Sequence, residues 1–187
     1  MNVLEKNRKR NRLPHYDYSQ SGYYSLTICT KHMETHFGVI ENGNMKLSEE
    51  GRIIEECWKE ITRQYKNLSL DEYQIMPNHL HGILIINEIS VGTIHELSRE
   101  DKSNNFQVKR RKMILPIVIG RFKMNASRKI HQWGKSNFSW QRSYYDHVIR
   151  NEKSLLETRK YVVENPLKLE FDKNNPINFK TELKDNS

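Results

Sequence analysis

Cysteine is nearly absent from this chain of 187 residues: Cys29 and Cys57 are the only two, with no CxxC and no metal-finger spacing. Neither a disulfide framework nor a structural zinc site is indicated, and a reducing compartment suits the composition. Long apolar runs are missing as well. None approaches the roughly 18 to 20 residues of a membrane span, and the start, MNVLEKNRKRNRL, lacks the apolar stretch of a signal peptide. The expectation is a cytoplasmic chain without a membrane partner, beginning with a basic arm over residues 1–18. Hydrophobic content is also low, 36% against 29% charged residues. Some of the length is therefore expected as exposed loop or tail, with the core concentrated in a few segments of one domain.

Acid is missing from one long stretch. From Lys102 to Tyr145 there are eleven Lys or Arg and no Asp or Glu, interleaved with Phe106, Phe122, Trp133, Phe138, Trp140, Tyr144 and Tyr145. The formal net charge is +8. Cations beside flat rings suit a single nucleic-acid strand, whose phosphates need charge and whose unstacked bases need platforms. A solvated basic face over core aromatics explains the same composition equally well.

Tyr23 to Thr30 reads as a first strand, and Glu41-Asn42-Gly43-Asn44 as a turn. LSEEGRIIEECWKEITRQY follows, with Ile53, Ile54, Cys57, Trp58 and Ile61 at helical spacing, Ser48 as N-cap and acids in the first turn. Leu68 to Ile75 is a second strand. Met76-Pro77-Asn78 breaks it before a third strand from about His79 to Ile86, so short a link implying an antiparallel pair. A polar loop spans about 88–112. The next helix is expected after Pro116, with Leu115, Ile119, Phe122, Ala126 and Ile130 inward and Arg121, Lys123, Arg128 and Lys129 outward. WQRSYYDHVI is a strand or a loop. NEKSLLETRKYVVEN is a helix with Leu155, Leu156, Arg159 and Val162 on one side, stopping at Pro166, and residues 173–187 are a polar tail. The sum is an α+β domain over about 19–172, built on a small antiparallel sheet with helices on one face.

In IMPNHLHGILII, two histidines one residue apart share a face of the strand, a geometry able to bind a divalent metal. By itself the pair is more often a pair of satisfied or surface histidines, and a third ligand is required to favour a metal. On the late helix Tyr161 shares a face with Asn165, four residues on, and Glu164 is three residues on. A tyrosine hydroxyl beside an oxygen ligand and two imidazoles would place a nucleophile next to a metal, and a phenolate attacking phosphorus would leave a phosphotyrosine. Packing of Tyr161 on the sheet is the plainer alternative, and Tyr144 and Tyr145 compete for the role on residue type. His147 either hydrogen-bonds locally or approaches a phosphate. Arg142 and Arg150 either clamp phosphates or pair with Asp146 and Glu152.

MPNHLHGILII, then LPIVIGRFKMNASRKIH, then FSWQRSYYDHVIRNEKSLLETRKYVVENPLK resemble, in order and spacing, the REP-associated tyrosine transposases, a branch of the single-tyrosine HUH transposases. The resemblance covers about residues 20 to 170. It implies a ferredoxin-like sheet with helices, His79 and His81 as metal ligands flanking Leu80, Tyr161 as the nucleophile, and Asn165 as a third ligand, for which Glu164 would be the substitute. It also implies magnesium or manganese as cofactor and single-stranded hairpin DNA as substrate, cut to a 5′-phosphotyrosine and a free 3′-hydroxyl. Contacts to that DNA are expected from Arg121, Lys123, Arg128, Lys129, Arg142 and Arg150, in a nucleoid-associated monomer or homodimer with no obligate protein partner evident. Two other classes fit the residues: a non-catalytic DNA- or RNA-binding module, and a metal-dependent phosphodiesterase that uses water.

Overall fold

The computed structural model describes residues 13–88 and 113–167. The first twelve residues of the expected basic arm, nearly all of the expected polar loop and the whole tail lie outside the described residues. The chain runs β1 (Gly22–Cys29), a short 3-10 turn (Lys31–Met33), β2 (Gly38–Glu41), β3 (Asn44–Leu47), α1 (Glu49–Gln64), β4 (Leu68–Met76), β5 (His79–Ile86), α2 (Ile114–Gln132), β6 (Tyr145–Ile149) and α3 (Glu152–Glu164). The main sheet has the order β4-β5-β1-β6, with the paired strands antiparallel. With the β2–β3 hairpin set aside, β1-α1-β4-β5-α2-β6 is a ferredoxin-like succession, as expected, in an α+β chain.

Local chemistry explains most of the boundaries. Asn42 and Gly43 both have positive φ (53° and 72°), so the two-residue turn between β2 and β3 has the twist a tight hairpin needs. Ser48 caps α1 by accepting a hydrogen bond from the Gly51 N–H at 3.0 Å, while Glu49 and Glu50 meet the positive end of the helix. The helix α2 starts at Ile114, two residues before Pro116. A proline in the first turn costs no helical hydrogen bond, and the chain before β1 serves as the cap: the Ile114 N–H donates to Ser19 Oγ and the Leu115 N–H to the Tyr18 carbonyl. Tyr18 is fully buried, so the core reaches back into the segment expected as an arm.

The two faces of the sheet differ. Tyr24, Leu26, Ile28, Leu80 and Leu84 point to one face and form the main core with Ile54, Trp58 and Ile61 of α1 and Leu115, Ile119, Phe122 and Ala126 of α2. On the other face, Tyr23, Ile83 and Ile149 pack with Leu155 of α3, so the last helix covers the side that α1 and α2 leave open. This explains why β5 is buried almost throughout rather than alternating. Leu156, expected beside Leu155 on the inner side, is instead 55% exposed. Neighbours on a helix point about 100° apart, and only one of the two can meet the sheet.

Helix and strand approach closely at Gly82: a Cβ there would stand 2.6 Å from Cζ2 of the buried Trp58. Gly82→Ala is expected to destabilise the fold by about 1–3 kcal/mol, since the ring has no empty space to enter. Urea unfolding checks this, and an unchanged midpoint would refute it.

Candidate active site

His79 and His81 lie on the face covered by α3, at the start of β5. In register, His79 stands opposite Cys29 and His81 opposite Thr27. Both side chains are buried, and each ring is held at Nδ1. Asn78 Oδ1 is 2.6 Å from His79 Nδ1, and Thr27 Oγ1 is 2.9 Å from His81 Nδ1. The Asn78 amide is oriented by its other end, because Nδ2 donates to the Met33 carbonyl at 3.2 Å. An amide oxygen only accepts, so His79 Nδ1 carries the proton and Nε2 presents a lone pair.

That lone pair points at its neighbour: the two Nε2 atoms are 3.0 Å apart. Two imine nitrogens this close repel unless a proton or a cation lies between them. Two nitrogens bound at about 2.1 Å and at right angles around one ion would also be separated by about 3.0 Å. The arrangement therefore suits a shared proton or a divalent cation.

Tyr161 comes to this pair from α3. Its ring meets that of His81 edge-on, with centroids 5.3 Å apart and planes at 71°, and the residue is 46% exposed. The competing tyrosines sit elsewhere. Tyr144 is buried in the main core, and Tyr145 is on β6, across Thr27 from His81. Tyr24 donates to the Gln20 carbonyl at 2.7 Å, and burial holds its phenol well above the ordinary range. One turn beyond Tyr161, Asn165 keeps right-handed helical geometry (φ −56°, ψ −42°) although Pro166 follows. It is 1% exposed, and among the described residues neither amide atom has a hydrogen-bond partner. A buried amide without partners is costly, since both its polar atoms lose water and gain no hydrogen bond. The Glu164 carboxylate, by contrast, faces Lys160 Nζ at 3.9 Å. Among the described residues no group of three His, Cys, Asp or Glu is placed to hold a metal.

The basic residues separate into two groups. Arg121, Lys123, Arg128 and Lys129 belong to α2, the layer across the sheet from the histidines. Arg121 donates to Tyr65 Oη at 2.7 Å, Lys129 meets Glu60 at 3.1 Å, and Lys123 donates to the Gln141 and Ser143 carbonyls. Three of these four cations thus hold the fold together, and the structure does not bring them to the histidine pair. Arg142 and Arg150 are exposed at the two ends of the β6 segment. His147 is exposed on β6, paired in register with Ser25. Trp140 packs among Phe37, Phe122 and Phe138 rather than facing solvent as a base platform.

Three parts of the site were not foreseen from the sequence. Asn78 read only as a strand breaker and Thr27 as one strand residue among others. Arg159 carried the one available signal, a cation on the inner side of a helix. Its guanidinium forms a two-pronged bond to Asp71, with Nη2 and Nε 2.7 and 3.0 Å from Oδ2. Asp71 lies in the irregular stretch of β4 between Leu70 and Tyr73, where the break in register turns a carboxylate towards α3. This pair fixes the tyrosine helix to the sheet.

An uncharacterized protein of Haemophilus influenzae is 36% identical over 169 residues, covering 88% of this chain and 91% of the relative. No family model matches the chain. Among solved structures, a REP-associated tyrosine transposase bound to a REP hairpin aligns at 16% identity and a TM-score of 0.47, over 84% of this chain and 73% of that one. A Deinococcus radiodurans protein classed provisionally as a transposase aligns at 15% identity and a TM-score of 0.45, over 83% and 96%. Likenesses this distant carry no argument about activity, which is read from the site itself. Asn165→Leu is expected to raise stability by about 1 kcal/mol in the presence of a chelator, because it removes a desolvated amide that has no partner. Chemical unfolding in EDTA measures it, and a loss of that size would mean that the amide is satisfied.

Proposed function

The chain belongs to the family of the Haemophilus influenzae protein, and for it we propose a metal-dependent DNA nicking and strand-transfer activity, transposase-like, on single-stranded or hairpin DNA. The observation that carries this reading is the meeting of Tyr161 with His81, beside two Nε2 atoms 3.0 Å apart. His79 and His81 would hold a divalent cation through Nε2, with Asn165 Oδ1 as third ligand. Thr27 and Asn78 orient the rings, as outer partners of metal-bound histidines do. Magnesium and manganese are the candidate ions, and the nitrogen-rich donor set suits manganese better, since magnesium prefers oxygen. When bound, the ion would polarise a non-bridging oxygen of the scissile phosphate.

Tyr161 performs the bond exchange. Its phenolic oxygen attacks phosphorus, the bond from phosphorus to the 3′-oxygen breaks, and that oxygen leaves as a 3′-hydroxyl after taking a proton. The phenol's own proton passes to solvent, to which the half-exposed side chain is open. The product is a 5′-phosphotyrosine, which keeps a phosphodiester-like bond for a later 3′-hydroxyl to attack. A rigid placement of the tyrosine follows from the Arg159–Asp71 pair, which ties α3 to β4.

Tyr161→Phe is expected to abolish the protein–DNA adduct formed with labelled single-stranded hairpin DNA in manganese, leaving DNA binding nearly intact. An undiminished adduct, seen as a slow band on a denaturing gel, would sink the assignment of Tyr161. His79→Ala or His81→Ala should each lose cleavage and weaken manganese binding measured by calorimetry. Cleavage that persists in EDTA would contradict the metal's role. Released phosphate ends without protein attached would point to water as the nucleophile, and binding without cleavage to a non-catalytic module.

A further inference from the structure

At Tyr145, across Thr27 from His81, the surface opens into a cleft of about 410 Å³, lined by Thr30, Lys31, His32, Gln141, Arg142 and Tyr145 together with Met33. That volume is in the range of about 300–1,000 Å³ typical of small-ligand sites. The cleft is wired to the site already described. Thr30 donates from both its backbone N–H and Oγ1 to the Asn78 carbonyl, and Asn78 also holds His79 Nδ1 and the Met33 carbonyl. Tyr145 is paired in register with Thr27, and Thr27 with His81. Opposed residues of antiparallel strands point to one face, so Tyr145 and His81 share a face two strand spacings apart, about 10 Å.

The lining has the chemistry of a nucleotide site. Lys31 and Arg142 are exposed cations, and among the described residues neither has a carboxylate partner. Tyr145 offers a flat ring that is 46% exposed. The Gln141 side chain supplies a donor and an acceptor for a base edge. His32 and Met33 both adopt left-handed backbone geometry (φ 55° and 56°), which non-glycine residues rarely do, and Met33 is held there by its carbonyl, which accepts from Asn78 Nδ2, and by its N–H, which donates to the Thr30 carbonyl.

We propose that this cleft binds one unpaired nucleotide of the DNA strand next to the phosphate that Tyr161 attacks, with the base stacked on Tyr145 and the backbone phosphate between Lys31 and Arg142. The proposal rests on the nicking activity proposed above for its orientation, and it makes the cleft the place where the strand is held single. A duplex has its bases stacked on each other and cannot offer one to Tyr145.

The test reads binding, so that its outcome is separate from that of cleavage. In a Tyr161→Phe background without divalent ions, where no adduct forms, anisotropy of a fluorescein-labelled oligo(dT) decamer is compared with that of a 20-base-pair duplex. Tyr145→Ala is expected to weaken the decamer about tenfold and the duplex less than twofold, and Tyr145→Phe to bind like the parent. Arg142→Ala should weaken the decamer and lower the slope of log affinity against log salt by about 1. Decamer affinities of Tyr145→Ala within twofold of the parent would overturn the proposal. So would an equal loss on decamer and duplex, which would reduce the cleft to a patch of charge. Matching urea midpoints for Tyr145→Ala and Tyr145→Phe keep folding out of the comparison.

Discussion

The buried side chain of Asn78 is the constraint on which the site depends. Its oxygen fixes the tautomer of His79, its nitrogen holds the Met33 carbonyl, and its own carbonyl accepts twice from Thr30. One fully buried residue thus sets the direction of a lone pair, the path of the turn after β1 and the wall of the neighbouring cleft. Four hydrogen bonds at one residue make these features mutually dependent. Little freedom is left in β5 at the point where the histidines begin.

The sheet separates stability from chemistry. On one face, aliphatic and aromatic side chains from all four strands of the sheet and from α1 and α2 form the core, and the cations of α2 hold its edges together. On the other face the apolar contact is small, with Tyr23, Ile83, Ile149 and Leu155. Beside it that face carries polar groups, two imidazoles, Thr27, the Asn165 amide and a tyrosine, with Cys29 and Met76 in register with His79. Its covering helix would be weakly held by so small an apolar patch, and the Arg159–Asp71 pair compensates by a directional bond whose carboxylate is mostly shielded from water. The tyrosine is therefore placed by geometry more than by burial, and the residue stays 46% exposed.

The strands, the α1 cap and the inner stripes were legible because they depend on periodicity and on neighbours in the chain. Ser48, the Asn42-Gly43 turn and the Ile119–Phe122–Ala126 stripe are local signals. The inward side of the last helix was less legible, because Leu155 and Leu156 are equally apolar and only the sheet decides which one is covered. The reach of the core back to Tyr18 was illegible for a similar reason: Ser19 and Tyr18 cap α2 across 95 residues of chain.

By itself the sequence determined which chemical groups are available: two histidines on one strand face, a tyrosine and an asparagine one helical turn apart, and a long stretch without acids. These depend on the repeat of a strand or a helix, which is local. Only the tertiary structure decided which groups meet. It brought Tyr161, and not Tyr144 or Tyr145, to His81, turned most of the α2 cations to structural partners, and made a strand breaker into the support of His79. Such choices are made by distances between segments remote in the chain, and no local periodicity encodes them.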